Sequence, residues 1–307
     1  MSIKTIDTLL EDIDAIFTNP THKVSEDNLK KFTDTLAGVV KTAIEKSGRR
    51  EETVIRMSNL GTPDRKLYLD TKNPSTSEGN SAALEQRFLY GHVIEALLIF
   101  LIREAGHVVE NEQLDVEVDG VPGHLDMTVD GVVVDAKSTS PYQFFKFQSP
   151  SKLKQNDTFG YVTQIAGYHE AMKRKTGIDV NRAAILVQNK SDADKRLLVF
   201  DEMEFPNIPD RIKHVRKMLA EPTLPPICHA PELDSKSGNT ELASGCKFCR
   251  HKFGCFPTLR VFDYANGEKY FTSLVTVPRV PEIVIDKKTQ QPTTQSSKDL
   301  GPKDFED

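Results

Sequence analysis

Apolar side chains recur at helical spacing over residues 4–18 and again over 26–46, where Leu29, Phe32, Leu36, Val39, Val40 and Ile44 share one stripe. This predicts an N-terminal helical segment. A polar stretch rich in Ser, Thr, Asn and Gly at 71–80 reads as a loop. From 82 to 104 the pattern is that of one long helix, stopped near Gly106. Short apolar runs separated by tight turns follow over 108–137 and predict strands. A helix is expected over 159–175, strands over 183–188 and 196–200, and a helix over 210–219. A Pro-rich linker at 221–231 leads into a cysteine-bearing segment. Residues 286–307 are nearly free of apolar side chains and predict a disordered tail. The alternation of strands with helices places the chain in the α/β class. It divides into a helical segment (1–80), a core (81–220), a cysteine segment (221–265) and the tail (286–307).

The strongest local signal is Asp130-Gly131 between runs of valine, a two-residue hairpin turn. Counting outward pairs Val129 with Val132, Thr128 with Val133, Met127 with Val134, and Asp126 with Asp135. Opposed residues lie on one face, and Lys137 shares that face with Asp135. One such aspartate is readily a solvent-facing strand end. Two opposed carboxylates closing an apolar hairpin repel each other, and a bound divalent cation would remove that repulsion. Glu95 is the one polar residue among the ten from Val93 to Ile102. It either occupies a narrow solvent face or supplies a third carboxylate, with His92 a turn before it. Gln164 and Tyr168 stand four apart on the expected 159–175 helix and so share a face. They fit an ordinary polar helix face as well as a role over a phosphate backbone.

The net charge of −5 does not mark a nucleic-acid binder, so any such contact rests on local basic groups. Lys146, Lys152 and Lys154, interleaved with Phe144, Phe145 and Phe147, form one set; Lys173, Arg174 and Lys175 form another. They could hold phosphates and stack bases, or be a solvated face with packed rings. No apolar run is long enough for a bilayer, and the acidic, polar N-terminus lacks a signal-peptide pattern, so a cytoplasmic location without membrane contact is expected. In a reducing compartment the four clustered cysteines, Cys228, Cys246, Cys249 and Cys255, point to a metal site rather than disulfides.

The order Glu95, Gly123 to Asp126, Asp135-Ala136-Lys137, Gln164 to Tyr168 resembles the RecB-like branch of the PD-(D/E)xK nucleases, which includes CRISPR-associated RecB-like and lambda-type phage exonucleases. The resemblance covers roughly residues 84–200. It implies a restriction-endonuclease-like core, a mixed central sheet flanked by helices, with an N-terminal helical cap and a C-terminal cysteine-cluster lobe. It also implies a metal-dependent exonuclease working from linear single- or double-stranded DNA ends and leaving a 5′-phosphate. Glu95, Asp126, Asp135 and the carbonyl of Ala136 would bind Mg²⁺ or Mn²⁺, Lys137 would orient water or stabilise charge, and Gln164 and Tyr168 would position the strand. The spacing C-x2-C-x5-C, with Cys228 upstream, resembles the segment that holds a [4Fe–4S] cluster in such enzymes; four thiolates also suit zinc. Three departures stand out: Leu125 precedes Asp126 where the family has proline, Glu95 stands where many RecB-like members carry histidine so that lambda-type metal binding is the closer parallel, and the stretch 56–70 lacks the cysteine that relatives place before the core. A site-specific or structure-specific endonuclease and a non-catalytic DNA-binding platform remain alternatives. The resemblance places the protein in a bacterial or phage-infected cell, acting in DNA recombination, repair or degradation, with a recombination or replication protein as a candidate partner.

Overall fold

The computed structural model describes residues 4–46, 55–72, 82–176 and 181–285. The tail expected at 286–307 lies outside them, as does the 71–80 loop apart from Thr71 and Lys72, which end a helix. The chain divides into two compact units, Met1–Thr62 with Asp70–Pro222, and Pro63–Leu69 with Thr223–Asp307. In chain order the elements up to residue 220 are α1 (Leu9–Thr18), α2 (Glu26–Lys46), α3 (Met57–Leu60), α4 (Asp64–Lys72), α5 (Ala82–Glu104), β1 (Val109–Glu110), β2 (Leu114–Val118), β3 (Val121–Leu125), β4 (Met127–Val129), β5 (Val132–Thr139), α6 (Pro141–Phe144), α7 (Pro150–Asn156), α8 (Tyr161–Thr176), β6 (Arg182–Asn189), β7 (Lys195–Asp201) and α9 (Ile208–Ala220).

The first unit is a mixed α/β fold. Its sheet has the order β1-β4-β5-β6-β7, antiparallel throughout except between β5 and β6. That parallel pair needs a long crossover, which α6, α7 and α8 supply. Strands β2 and β3 form a separate hairpin. One face of the sheet carries Met127, Val129, Val134, Ala136, Ala184 and Leu186, packed against Leu9 and Ile13 of α1 and Leu98 and Ile102 of α5. Alternation along β5 therefore turns Asp135 and Lys137 to the opposite face, where α8 lies.

The Asp130-Gly131 turn has positive φ at both residues, 50° and 82°, as a hairpin turn matching strand twist requires. Its register is Val129 with Val132, Thr128 with Val133 and Met127 with Val134. The ladder stops there. Asp126 falls between β3 and β4, so the expected cross-strand pairing of Asp126 with Asp135 does not form. Two polar contacts tie the helices around the sheet. Glu104, at the end of α5, accepts hydrogen bonds from Asn28 Nδ2 (2.7 Å) and the Ser25 amide (3.2 Å), and so holds the start of α2. The fully buried His107 ring lies 2.7 Å from Asp130 and 3.2 Å from Asp12 on α1.

The second unit carries β8 (Glu232–Leu233), β9 (Thr240–Glu241), α10 (Ser244–Lys247), α11 (Lys252–Cys255), β10 (Arg260–Tyr264), β11 (Gly267–Ser273) and β12 (Glu282–Ile283). They build an antiparallel sheet in the order β12-β10-β11-β9-β8, which extends beyond the cysteine segment expected to end at 265. Leu242, Cys246, Leu259, Val261 and Tyr270 form its core. No helix among the described residues is long and apolar enough to cross a membrane.

The start of α8 is set by a backbone-to-backbone contact. A Cβ on Gly61 would lie 2.6 Å from the Gly160 Cα and carbonyl oxygen. Gly91, inside α5, has only Ser138 Oγ at 3.7 Å. Gly61→Ala is expected to lower stability by about 2 kcal/mol or more through overpacking. Gly91→Ala is expected to raise it by up to about 1 kcal/mol through helix propensity. Urea unfolding of both variants checks the contrast, and equal effects would refute the close approach.

Candidate active site

Four segments converge on Asp135: β5 itself, the junction after β3, the middle of α5, and α8. Asp135 is completely buried. Its Oδ1 accepts from Lys137 Nζ at 2.9 Å and from Gln164 Nε2 at 3.3 Å. Its Oδ2 lies 2.7 Å from Lys137 Nζ in an ion pair, out of line for a hydrogen bond, and among the described residues no other donor reaches it. Gln164 Nε2 also donates to the Tyr168 hydroxyl at 3.0 Å, and both side chains are buried. The helical spacing of four thus places both groups over the carboxylate.

Asp126 is half-buried, and its Oδ2 accepts the Ala136 amide at 2.8 Å. The carboxylate reaches β5 through this bond instead of through the ladder. Glu95 completes the group from α5. Its Oε1 accepts from Gln113 Nε2 at 2.7 Å, and His92 Nδ1 stands 3.6 Å from its Oε2. Gln113 also donates its backbone amide to the Asp126 carbonyl at 3.0 Å, so one residue ties Glu95 to Asp126. It does so at φ 50°, a left-handed conformation that costs a non-glycine residue energy and recurs where function holds it. Sequence reasoning did not single out Gln113, since a glutamine at positive φ leaves no compositional mark.

The glycine of G-x-x-D has a packing role. A Cβ on Gly123 would meet the Tyr168 ring at 2.8 Å and Met57 at 2.9 Å, and one on Gly167 would meet Met57 Sδ at 2.8 Å. The bare backbone at 123 and 167 lets Met57 and Tyr168 close over the site. The N-terminus of α8 is capped by Asp157, whose carboxylate accepts the amides of Gly160, Tyr161 and Val162 at 2.8–2.9 Å. Tyr161 then lies beneath Lys137, with Nζ 5.6 Å from the ring centroid.

Burial pushes the Asp126 carboxyl well above the usual range, helped by the charges of Asp135 and Glu95; Lys137 and the Ala136 amide pull the other way. Burial raises Asp135 also, against the opposing pull of Lys137. Burial alone would lower Lys137, but Asp135 and Asp126 overcome it and hold its proton more tightly than in water. Tyr168 is pushed up to about 12, first by burial and then by Asp135. The site is therefore a carboxylate set short of positive charge, with a firmly protonated lysine. The donor set of hard oxygens suits Mg²⁺ or Mn²⁺. Among the described residues, no three His, Cys, Asp or Glu side chains converge closely enough to enclose an ion by themselves.

The expected phosphate-binding residues do not join this group. Lys154 pairs with Glu204 at 2.9 Å, Lys173 with Glu202, and Arg174 with both Asp119 (2.8 Å) and Glu170 (2.7 Å). Lys146 is half-buried, and burial lowers its pKa. Lys152 sits 5.5 Å over the Phe145 ring. Phe144 and Phe147 are buried and pack in the core, so neither can stack a base; Phe145 is exposed.

In the second unit the four cysteines line one cavity with Arg65, Lys252 and His251. Burial, then the neighbouring sulfurs of Cys249, Cys228 and Cys255, push the Cys246 thiol up to about 11. Arg65 donates Nε–H to Cys255 Sγ at 3.2 Å and Nη1–H to the Pro225 carbonyl at 2.8 Å. The 56–70 stretch, which lacks the relatives' cysteine, thus contributes an arginine to this cavity. The His229 ring packs against Gly245.

No protein-family model matches the chain, and no curated protein matches it. Among solved structures it is similar to SSO0001, at 12% identity and TM-score 0.36, covering 64% of this chain and 89% of that one. It is similar to a phage-related exonuclease from Haemophilus somnus 129PT, at 14% identity and TM-score 0.34, covering 54% and 90%. LHK-Exo in complex with dAMP is a third, at 13% identity and TM-score 0.32, covering 55% and 85%. The functional reading rests on the site itself.

The raised carboxyls have a measurable consequence. A group that holds its proton more tightly when folded stabilises the fold below its unfolded pKa, and that contribution is lost as pH rises through its folded pKa. Metal-free protein is therefore expected to lose stability from this source as pH rises above the ordinary carboxylate range. Asp126→Asn removes the group, so its urea-derived stability should fall less steeply over that rise than the wild type's. Parallel curves would mean that Asp126 is not strained by its surroundings.

Proposed function

We propose that this chain is a metal-dependent deoxyribonuclease that acts as an exonuclease on linear DNA ends. The observation that carries the reading is the Asp135 carboxylate, fully buried beside a second raised carboxyl, with one oxygen shared by Lys137 and Gln164 and the other, among the described residues, met by the Lys137 ion pair alone. Holding two carboxylates beside one ammonium leaves an electrostatic cost that a bound divalent cation would offset.

Glu95, Asp126, Asp135 and the carbonyl of Ala136 would hold Mg²⁺ or Mn²⁺, which would lower the pKa of a bound water and offset charge on the phosphate. Lys137, firmly protonated, acts as a donor and not as a base: its ammonium orients the attacking water or stabilises charge developing on the phosphate oxygens. Tyr168 keeps its proton as well, so its hydroxyl can donate toward a strand lying over the site. Gln164 bridges that hydroxyl and Asp135, coupling strand position to carboxylate position. The match of Gln164 and Tyr168 to the RecB-like order favours an exonuclease over an endonuclease.

The four thiols are proposed to hold a [4Fe–4S] cluster. They line one cavity, and four thiolates beside it are the ligand set that such a cluster takes. Arg65 would then donate to a cluster thiolate, as hydrogen bonds to such sulfurs commonly do.

Digestion of end-labelled linear DNA with Mg²⁺ or Mn²⁺, beside a closed circle, tests the reading. Loss of linear DNA alone is expected, with activity reduced by several orders of magnitude in Asp135→Ala and Lys137→Ala. Cutting of the circle would make it an endonuclease, and no cutting by folded wild type would end the catalytic reading. A second expectation concerns Gln113. Gln113→Ala releases Glu95 without removing a ligand, so the metal concentration for half-maximal activity should rise about 10–100-fold, with activity largely recovered at saturating metal. An unchanged metal requirement would remove Gln113 from the site.

A further inference from the structure

The aromatic residues near the site are distributed differently from the sequence expectation. Phe144 and Phe147 are in the core, and Phe145 carries the Lys152 ammonium over its ring. Phe159, in the turn before α8, is 48% exposed. Its ring stacks on Tyr161, with centroids 5.6 Å apart and planes at 27°. Tyr161 also packs on Phe147, with centroids 5.7 Å apart, and Lys137 Nζ lies 5.6 Å from its ring centroid. An exposed ring is thus connected through one stacked tyrosine to the lysine that holds Asp135.

An exposed phenylalanine in a flexible turn would swing into the nearest apolar surface. This turn is not flexible. Asp157 accepts three successive amides around it, and Gly160, at φ 81°, is pressed against Gly61. The ring is held partly in water, which costs apolar stabilisation without a compensating contact on its open side. Flat, sequence-independent apolar partners with a negative chain attached are what such a ring beside a lysine suits, and a nucleobase on its phosphate strand is one.

We propose that Phe159, backed by Tyr161, is a stacking platform for an unpaired base whose neighbouring phosphate would pair with the Lys137 ammonium. The inference rests on the nuclease reading for its substrate and extends it: the strand is engaged with at least one base out of the duplex, so a frayed or single-stranded end is the preferred ligand. Stacking on one ring does not read sequence, so the platform grips any base.

The test uses full-length protein with Ca²⁺ in place of Mg²⁺ and a single-stranded oligonucleotide carrying 2-aminopurine at its end. Wild type is expected to quench the fluorophore on binding. Phe159→Ala and Phe159→Leu should lose the quench and bind about tenfold more weakly, while Phe159→Trp keeps both. An oligonucleotide with an abasic end should bind wild type and Phe159→Ala alike. Equal quench and affinity in wild type and Phe159→Leu, both folded by thermal melting, would overturn the platform. Cleavage by wild type in Mg²⁺ is scored separately. Cleavage with no Phe159 effect removes the platform and leaves the nuclease; a Phe159-dependent quench without cleavage does the reverse; absence of DNA binding overturns both.

Discussion

Like charges buried together are the constraint around which the first unit is arranged. Asp126 and Asp135 come within electrostatic reach of each other and of Glu95, with Lys137 paired to Asp135 and His92 beside Glu95. A single ammonium can neutralise one carboxylate. The remainder is carried by weaker devices: the Ala136 amide on Asp126, the Gln164 amide on Asp135, and the Gln113 amide on Glu95. Each offsets part of a desolvation cost that none cancels. A sheet built for stability would place valines there, as it does two residues earlier at Val133.

The rest of the unit keeps this arrangement from relaxing. Helix α8 could relieve Asp135 by sliding away, but its start is clamped by the Asp157 cap and the Gly61–Gly160 contact, and its middle is closed down by Met57 against Gly167. Glu95 could turn outward from α5, but Gln113 holds it at the expense of a left-handed backbone. Rigid support of this kind is what positions reacting groups within the tolerance catalysis needs.

Much of this was legible from local pattern because the signals are local. The 82–104 helix and the Val129–Val132 register follow from apolar spacing and an Asp-Gly turn, and both stand as expected. Counting outward from the turn assumed that pairing continues to Asp126. It fails there because the Asp126 side chain bonds the Ala136 amide as the chain passes from β3 to β4. The phenylalanines at 144–147 were ambiguous because a periodic aromatic run looks the same whether it faces core or solvent. Gln113 and Arg65 were invisible for another reason: their partners are 18 and 190 residues away in sequence, and neither carries a motif.

The pairing of surface cations bears on how DNA would be held. Lys154, Lys173 and Arg174 are each matched to a carboxylate, and the chain is net negative. Long-range attraction for a polyanion is correspondingly weak, because paired charges present little field beyond a Debye length. Under the proposed function, affinity would come from short-range groups at the site: a cation among the carboxylates, the Lys137 ammonium, the Tyr168 hydroxyl and the proposed stacking ring. Under that same function, a weak long-range field paired with a close-range site would gain little from the length of a duplex and more from a strand end that can enter the site.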